Sequence, residues 1–509
     1  CVPWITYSPH NLYDFSMATS QKKRIGIIGA GFAGVTSAKI LRDFGFDTVV
    51  FEKESEVGGV WASSRRYPGL STQNVRSTYA FTDYPYPKGT PEWPSGEQVQ
   101  KYIAGYCSHF GINDRIHLNT SVEKASLNSD NSWTLKVSDS KGSRAENVDF
   151  LIVANGIFSD PFVPDYKGAD EFTKAGGKIL HTVDFHNLSD VKGKNVLIVG
   201  YGKSACDVAM ATVGTSANTT VIARHLLWKV PKKLKEVLNY KMLFLTRMGE
   251  ALFPYIELKG FEKFLHGKGK GVRNGMLGSV QKVIGKQLMF DDLGLNPGTS
   301  LETITRSTVS LATDGFYKAV KAGKLKVEVG AEIVKLEAGK AHLSNGKVIP
   351  ADYIICGTGF HQRVLFFDKE IERQLTDERG NFRLYRQILP LDTPNLAFNG
   401  YNSSFFSQMN AEFGAVWIGA YLKGQFQLPS RDSRLQQIDK RLAWMEARTE
   451  GKHARGTNII PFSMHNIDEL LGDMKTHVSA FTRFNEWNVP INPANYAKVV
   501  KKVIAKSTK

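Results

Sequence analysis

Cysteine is scarce. Cys1, Cys107, Cys206 and Cys356 are the four in 509 residues, and no two form a Cys-x-x-Cys pair. That excludes a disulfide scaffold, a zinc ribbon and a dithiol redox motif. Long apolar runs are also missing. The longest, Phe413 to Leu422, has 10 residues, against the roughly 18 that a membrane span needs. It predicts core instead. Low-complexity tracts and glycine periods are absent, which excludes fibrous and disordered classes. Acidic residues are in deficit. Against 65 Lys+Arg stand 49 Asp+Glu, a net charge of +16. Such an excess predicts an anionic partner: nucleic acid, a membrane surface or a phosphorylated cofactor. Where the charge sits decides among them.

The length predicts two to four domains at roughly 100–200 residues each. Residues 1–16 carry neither a positive n-region nor an apolar h-region, so they do not read as a signal peptide. We read Met17 as the natural start, residues 1–19 as an N-terminal extension, and the chain as cytoplasmic rather than secreted.

Two stretches carry the chemistry. Arg24 to Gly29 reads as a short apolar strand. It runs into Gly29-Ala30-Gly31-Phe32-Ala33-Gly34, then a helical stretch to about Phe44, then a second strand ending at Glu52. Strand, GxGxxG, helix, strand and acid together form a specific dinucleotide signature. The first glycine makes the tight turn, the second admits the pyrophosphate, and the third lets helix and strand pack closely. The helix start offers free N–H groups to the phosphates. Glu52 is expected to accept hydrogen bonds from ribose hydroxyls. Gly58-Gly59-Val60-Trp61 follows and allows a second close backbone approach.

The unit repeats. Asn195 to Gly200 is another apolar strand, followed by Gly200-Tyr201-Gly202-Lys203-Ser204-Ala205, a GxGxxA form, and a helix carrying Asp207. The next strand ends at Arg224 rather than at an acid. A carboxylate there would repel a 2′-phosphate, whereas an arginine can pair with it. The second site therefore reads as NADPH-preferring, with Lys203 adding charge near the phosphates. Two dinucleotide sites imply FAD plus NADPH.

Assembled, these residues resemble the flavin-containing monooxygenases, the class with separate FAD and NADPH domains. Further elements carry the resemblance. They are Tyr67 to Asn74, Gly177 to Phe185, and Asp352 to Phe360 with Thr358 and Gly359. The identifying motif FxGxxxHxxx(Y/F) is matched at Gly177, His181 and Phe185. Its leading Phe is not: position 175 is Ala, and the nearest is Phe172, which reads as a small loop insertion. The related Baeyer–Villiger enzymes end this motif in Trp followed by Pro or Asp. Phe185-His186 points away from carbonyl oxygenation. The resemblance implies that Gly59, Val60, Trp61, Gln73 and Asn74 contact the flavin, and that Thr358 and Gly359 contact it at the chain's return. His181 is implied to have a structural, gating role at the domain junction, and Asn74 to lie beside the reactive flavin face as the catalytic residue. It further implies a C4a-hydroperoxyflavin that oxygenates an amine nitrogen or sulfide sulfur of a small molecule, with O2 as co-substrate. Baeyer–Villiger oxygenation and uncoupled NADPH oxidation are the alternatives. No metal site is expected.

The predicted fold is α/β, with two Rossmann-like dinucleotide-binding domains. The FAD domain is expected to be discontinuous, over 20–165 and 335–509. The NADPH domain is expected over 166–334, with a helical insertion at about 229–297. From Arg224 to Lys286 there are 14 Lys+Arg, 4 Glu and no Asp, which is +10 over 63 residues. Apolar residues recur at helical spacing (Leu234, Val237, Leu238, Met242, Leu245), and we read two or three amphipathic helices broken at Lys268 to Gly271. A solvated basic face, a lid over the substrate channel and peripheral membrane docking through 229–286 all fit this pattern. Nucleic acid does not, because the stretch lacks a recognition module.

Overall fold

The computed structural model describes residues 22–305, 310–402, 404–451 and 463–508. The expected extension at 1–19 lies outside them. Two five-stranded parallel sheets organise the chain. The first runs, edge to edge, Leu396–Phe398, Phe150–Val153, Arg24–Ile28, Asp47–Phe51, Ile116–His117. The second runs Lys326–Val329, Asn218–Ala223, Asn195–Val199, Tyr353–Cys356, Lys178–His181. Every pairing in both is parallel. Their central strands are near-continuous Val and Ile because both faces are covered. Ile25, Ile27, Ile152, Ile198 and Ile355 are wholly buried.

Each unit repeats one plan. A glycine-turn strand sits at the centre, and a three-stranded antiparallel sheet precedes the strand that returns beside it. In the first unit that small sheet is Ser121–Leu127, Trp133–Asp139 and Gly142–Val148. In the second it is Ile333–Glu337, Lys340–Leu343 and Val348–Pro350, turning at Asn345-Gly346 with Gly346 at φ +82°. The boundary expected at residue 335 is therefore displaced. Tyr353–Cys356 pairs with Asn195–Val199, so the second unit keeps the chain to about residue 357. The two crossings between units, Asp160–Pro161 and Phe360–His361, pair antiparallel with each other.

The apolar run becomes the helix Ser407–Leu422, buried from Gln408 to Ala420. It packs along the helix Phe32–Asp43 that follows the first glycine turn. Asn399 ties the two, donating to Ser37 Oγ at 2.8 Å and to the Ala411 carbonyl at 2.9 Å.

The insertion is only partly helical. Phe261–His266 and Lys270–Gln287 are helices, separated at Gly267 to Gly269. The segment read as the first amphipathic helix begins instead as a hairpin, Lys233–Leu234 against Leu238–Asn239, and turns helical only in the short pieces Lys241–Phe244 and Arg247–Ala251. Lys235 and Glu236 take the left-handed conformation, at φ +49° and +62°, which turns the chain back. Val237 and Leu238 are left exposed. Among the described residues no helix is long and apolar enough to cross a membrane.

Candidate active site between two glycine turns

The first glycine turn is fixed by contact. A Cβ on Gly34 would stand 1.8 Å from the Gly29 carbonyl oxygen, and one on Gly29 (φ +102°) 2.7 Å from that of Ala154. Gly31 and Gly59 face each other so closely that a Cβ on Gly59 would lie 3.1 Å from the Gly31 Cα. The helix start at Phe32 has no side-chain cap, leaving its first N–H groups free for an anion. Glu52 is buried and accepts from the Ala30 N–H at 2.6 Å and the Glu54 N–H at 2.9 Å. Burial raises its pKa above the usual carboxylate value. These groups line a cavity of about 380 Å³ that also reaches Val60, Trp61, Gly400, Asn402 and Ser407. Two facing glycines, uncapped amides and a buried acid fit an FAD diphosphate and ribose.

A second cavity, of about 430 Å³, lies between the units. Trp61, Gln73 and Asn74 wall it from the first; Gly202, Lys203, Ser204, His181, Thr358 and Gly359 wall it from the second. Trp61 and Val60 face both cavities. The second glycine turn mirrors the first. A Cβ on Gly200 (φ +114°) would lie 2.6 Å from the Gly357 carbonyl oxygen, whereas one on Gly202 meets open space. The helix Lys203–Thr212 is likewise uncapped. Ala205 is buried against Gly357. This open, amide-rich turn fits a second dinucleotide. Lys203 is turned back along its helix onto Asp207, which also accepts from Thr313 Oγ1. Arg224 is not on either cavity wall; its half-exposed guanidinium sits 3.5 Å from Glu332.

His181 is buried at the crossing. The Val183 N–H donates to its Nδ1 at 3.3 Å, so the proton is on Nε2, which donates to the Gly359 carbonyl at 3.0 Å. Desolvation lowers its pKa to about 4. Both ring nitrogens are engaged by backbone at the crossing. Phe185 is core. Gly177 is required because the Phe172 ring occupies its side-chain space: a Cβ there would lie 2.4 Å from the ring. The displaced motif phenylalanine thus still packs on the motif glycine, with Gly176 at φ +95° absorbing the extra residues.

Asn74 is buried. Its Nδ2 donates to the Phe405 carbonyl, and its Oδ1 lies 3.4 Å from the Tyr240 hydroxyl. Ser404, Phe405 and Ser407 also wall this cavity, from a segment, 402–417, rich in Ser, Phe, Gln and Asn. Tyr240, Arg65, Phe158 and Leu227 had no local signal.

The model of the "Flavin-binding monooxygenase-like" family matches residues 22–481. The chain is 23% identical over 493 residues to a probable flavin-containing monooxygenase 1 of Arabidopsis thaliana, covering 89% of this chain and 91% of that one. Among solved structures, S-allyl-L-cysteine S-oxygenase from Allium sativum superposes with TM-score 0.62 at 18% identity, covering 96% of this chain and 98% of that one. The OTEMO complex with FAD and NADP superposes with TM-score 0.65 at 17% identity, covering 92% and 99%. The chain belongs to the flavin-binding monooxygenase-like family and is a flavin-dependent monooxygenase.

Proposed function

We propose that this enzyme uses FAD and NADPH to transfer one oxygen atom of O2 to an amine nitrogen or sulfide sulfur of a small organic molecule. One observation supports this reading above others. The cavity between the glycine turns has no Asp or Glu among its described lining residues. Its histidine is held neutral, and burial raises the pKa of its tyrosines Tyr67, Tyr79 and Tyr201. Such a wall hands out few protons at neutral pH. It suits a soft nucleophile attacking bound, flavin-activated oxygen better than acid–base chemistry.

The roles follow from position. The Gly29–Gly34 turn and Glu52 would hold the FAD diphosphate and ribose. Gly202 and the uncapped amides from Lys203 would hold the pyrophosphate of NADPH, with Arg224 reaching its 2′-phosphate. Bound flavin, reduced by NADPH, supplies the activation of O2. Asn74 offers a neutral amide at the reacting face, and Trp61, Phe360 and Phe405 exclude water. Mixing NADPH-reduced enzyme with O2 in stopped flow should show a transient near-ultraviolet band, and sulfides or amines should hasten its decay. Direct return to oxidised flavin with stoichiometric peroxide would overturn the reading. Faster decay with ketones alone would favour carbonyl oxygenation.

We also infer peripheral contact of the insertion with an anionic membrane. Phe261, Phe264 and Val272 are exposed beside exposed Lys259, Lys263, Lys268 and Lys270. Co-sedimentation with anionic vesicles at low salt tests it; no binding would refute it.

A further inference from the structure

We propose that Tyr240, delivered by the basic insertion, is a positioning residue that sets the orientation of the Asn74 amide. The proposal rests on the reading of the cavity given above. It starts from the hairpin that the apolar spacing did not reveal. Because Lys235 and Glu236 reverse the chain, Tyr240 follows the return strand and is driven inward, with 1% of its surface exposed. Its hydroxyl lies 2.6 Å from the Gln73 carbonyl and 3.4 Å from Asn74 Oδ1. One phenolic proton is thus shared, mainly with Gln73 and more weakly with Asn74.

The other side of Asn74 removes the ambiguity of the amide. Its partner there is the Phe405 carbonyl, which can only accept, so Nδ2 must face it. Oδ1 is then left towards Tyr240. Rotating the amide by half a turn would set oxygen against oxygen at Phe405. Of the two Nδ2 hydrogens, one is spent on Phe405, and the other has no partner among the described residues of the cavity wall. Gln73 is pinned from the same side, since its Oε1 accepts from the Leu311 N–H at 3.1 Å.

Tyr240 is itself held by several contacts. Its N–H donates to the Lys232 carbonyl at 3.1 Å. Asn239 Nδ2 donates to Glu92 Oε1 at 2.8 Å, and Lys241 Nζ lies 3.3 Å from the same oxygen. Gln287, at the end of the long insertion helix, accepts from the Lys235 N–H and donates to the Lys233 carbonyl, both at 2.8 Å. The insertion therefore reaches the reacting face through a rigid hairpin. Seating that hairpin and orienting Asn74 are one event.

The test uses the FAD-loaded full chain with Tyr240→Phe, which keeps the ring and removes the hydroxyl. We expect peroxide released per NADPH to rise roughly tenfold, about the worth of one hydrogen bond, with KM for NADPH unchanged. Amide hydrogen exchange across residues 70–76 should quicken in the same variant, with or without turnover. In an Asn74→Ala background, Tyr240→Phe should add little to peroxide release. Glu92→Gln, outside the cavity, should move both readouts the same way by less. Unchanged exchange and unchanged peroxide in Tyr240→Phe would overturn the proposal, as would full additivity with Asn74→Ala. A wild-type enzyme that yields only peroxide would instead refute the oxygen-transfer reading, while the exchange data would still decide the positioning role.

Discussion

The two glycine turns are the same device solved in opposite ways at one contact. In the first, Gly34 faces the returning loop at Ala154; in the second, Ala205 faces it at Gly357. Glycine and alanine have exchanged sides. In both, the first glycine would strike the carbonyl of the returning loop: Ala154 for Gly29, Gly357 for Gly200. The turn needs one small partner per contact, and either the helix or the returning loop can supply it. The surroundings then diverge. The first turn is closed by Gly59 and a buried acid, whereas the second is open at Gly202, and Arg224, which stands at the strand end where the first has its acid, lies off the cavity wall. Their returning loops are also anchored differently. Asn155 accepts from the Tyr401 hydroxyl at 2.8 Å in one, and the Gly359 carbonyl accepts from His181 at 3.0 Å in the other.

The sharpest way to break this symmetry is Gly34→Ala. Its Cβ would meet backbone, not a side chain, at 1.8 Å. We expect a loss of roughly 4 kcal/mol or more, seen as failure to retain flavin absorbance on a folded chain. Ala154→Gly should not rescue it, because the clash is with Gly29 within the turn.

Acid should next separate the two anchors. Folded, His181 titrates at about 4, below its ordinary 6.5. The unfolded chain therefore takes up a proton that the native chain refuses. Stability falls as pH drops from about 6.5 towards 4, by about 3 kcal/mol in all. Arg65 and Asp184, the charges that face this ring, act in opposite senses on it. Asn155 has no such dependence. Melting curves of wild type and His181→Asn should diverge at neutral pH and converge on acidification. His465 behaves oppositely. Glu250 and Glu262 hold its two nitrogens at 2.9 and 2.7 Å and raise its pKa to about 10. Its contribution is complete below about 6.5 and fades as pH rises through 10.

A milder intervention is Gly357→Ala. The new Cβ would lie 2.8 Å from the Ala205 Cβ and 3.1 Å from its nitrogen. A cost of roughly 2 kcal/mol is expected, with partial return in the double variant carrying Ala205→Gly. Full return would mean that the backbone contacts do not matter. No return would break the exchange argument.

What could be read from sequence was local. The glycine spacing, the apolar strands and Glu52 all lie within some 30 residues of each other, and the pattern carries its own geometry. The burial of the apolar run Phe413 to Leu422 was legible for the same reason, though not the helix Ser407–Leu422 that carries it. Three features were not. Tyr353–Cys356 has the apolar character of Phe150–Val153, and which sheet it joins is decided by partners more than 150 residues away. The stretch from Leu234 to Leu245 has helical spacing, but backbone reversal at Lys235 and Glu236 overrides it in the first half, and only Lys241–Phe244 is helical. The partner of Asn74, Phe405, is 331 residues distant in the chain. Asn74 could be named from a resemblance, but what orients it could not.

The weakest contrast, Arg224 against Glu52, is also the most easily sharpened. Glu52 is enclosed and bound by backbone amides. Arg224 is half exposed and 3.5 Å from Glu332, itself half exposed. An ion pair so wet is worth less than about 1 kcal/mol, so a 2′-phosphate dianion can displace it. Arg224→Asp should raise KM for NADPH roughly tenfold or more while leaving NADH nearly unchanged. Equal losses for both would remove Arg224 from the cofactor site. Glu332→Gln should do the reverse, freeing the guanidinium and lowering KM for NADPH by roughly twofold at low salt. That gain should vanish as ionic strength rises, since both partners face water. If it persists in high salt, Glu332 acts on the site by packing rather than by charge.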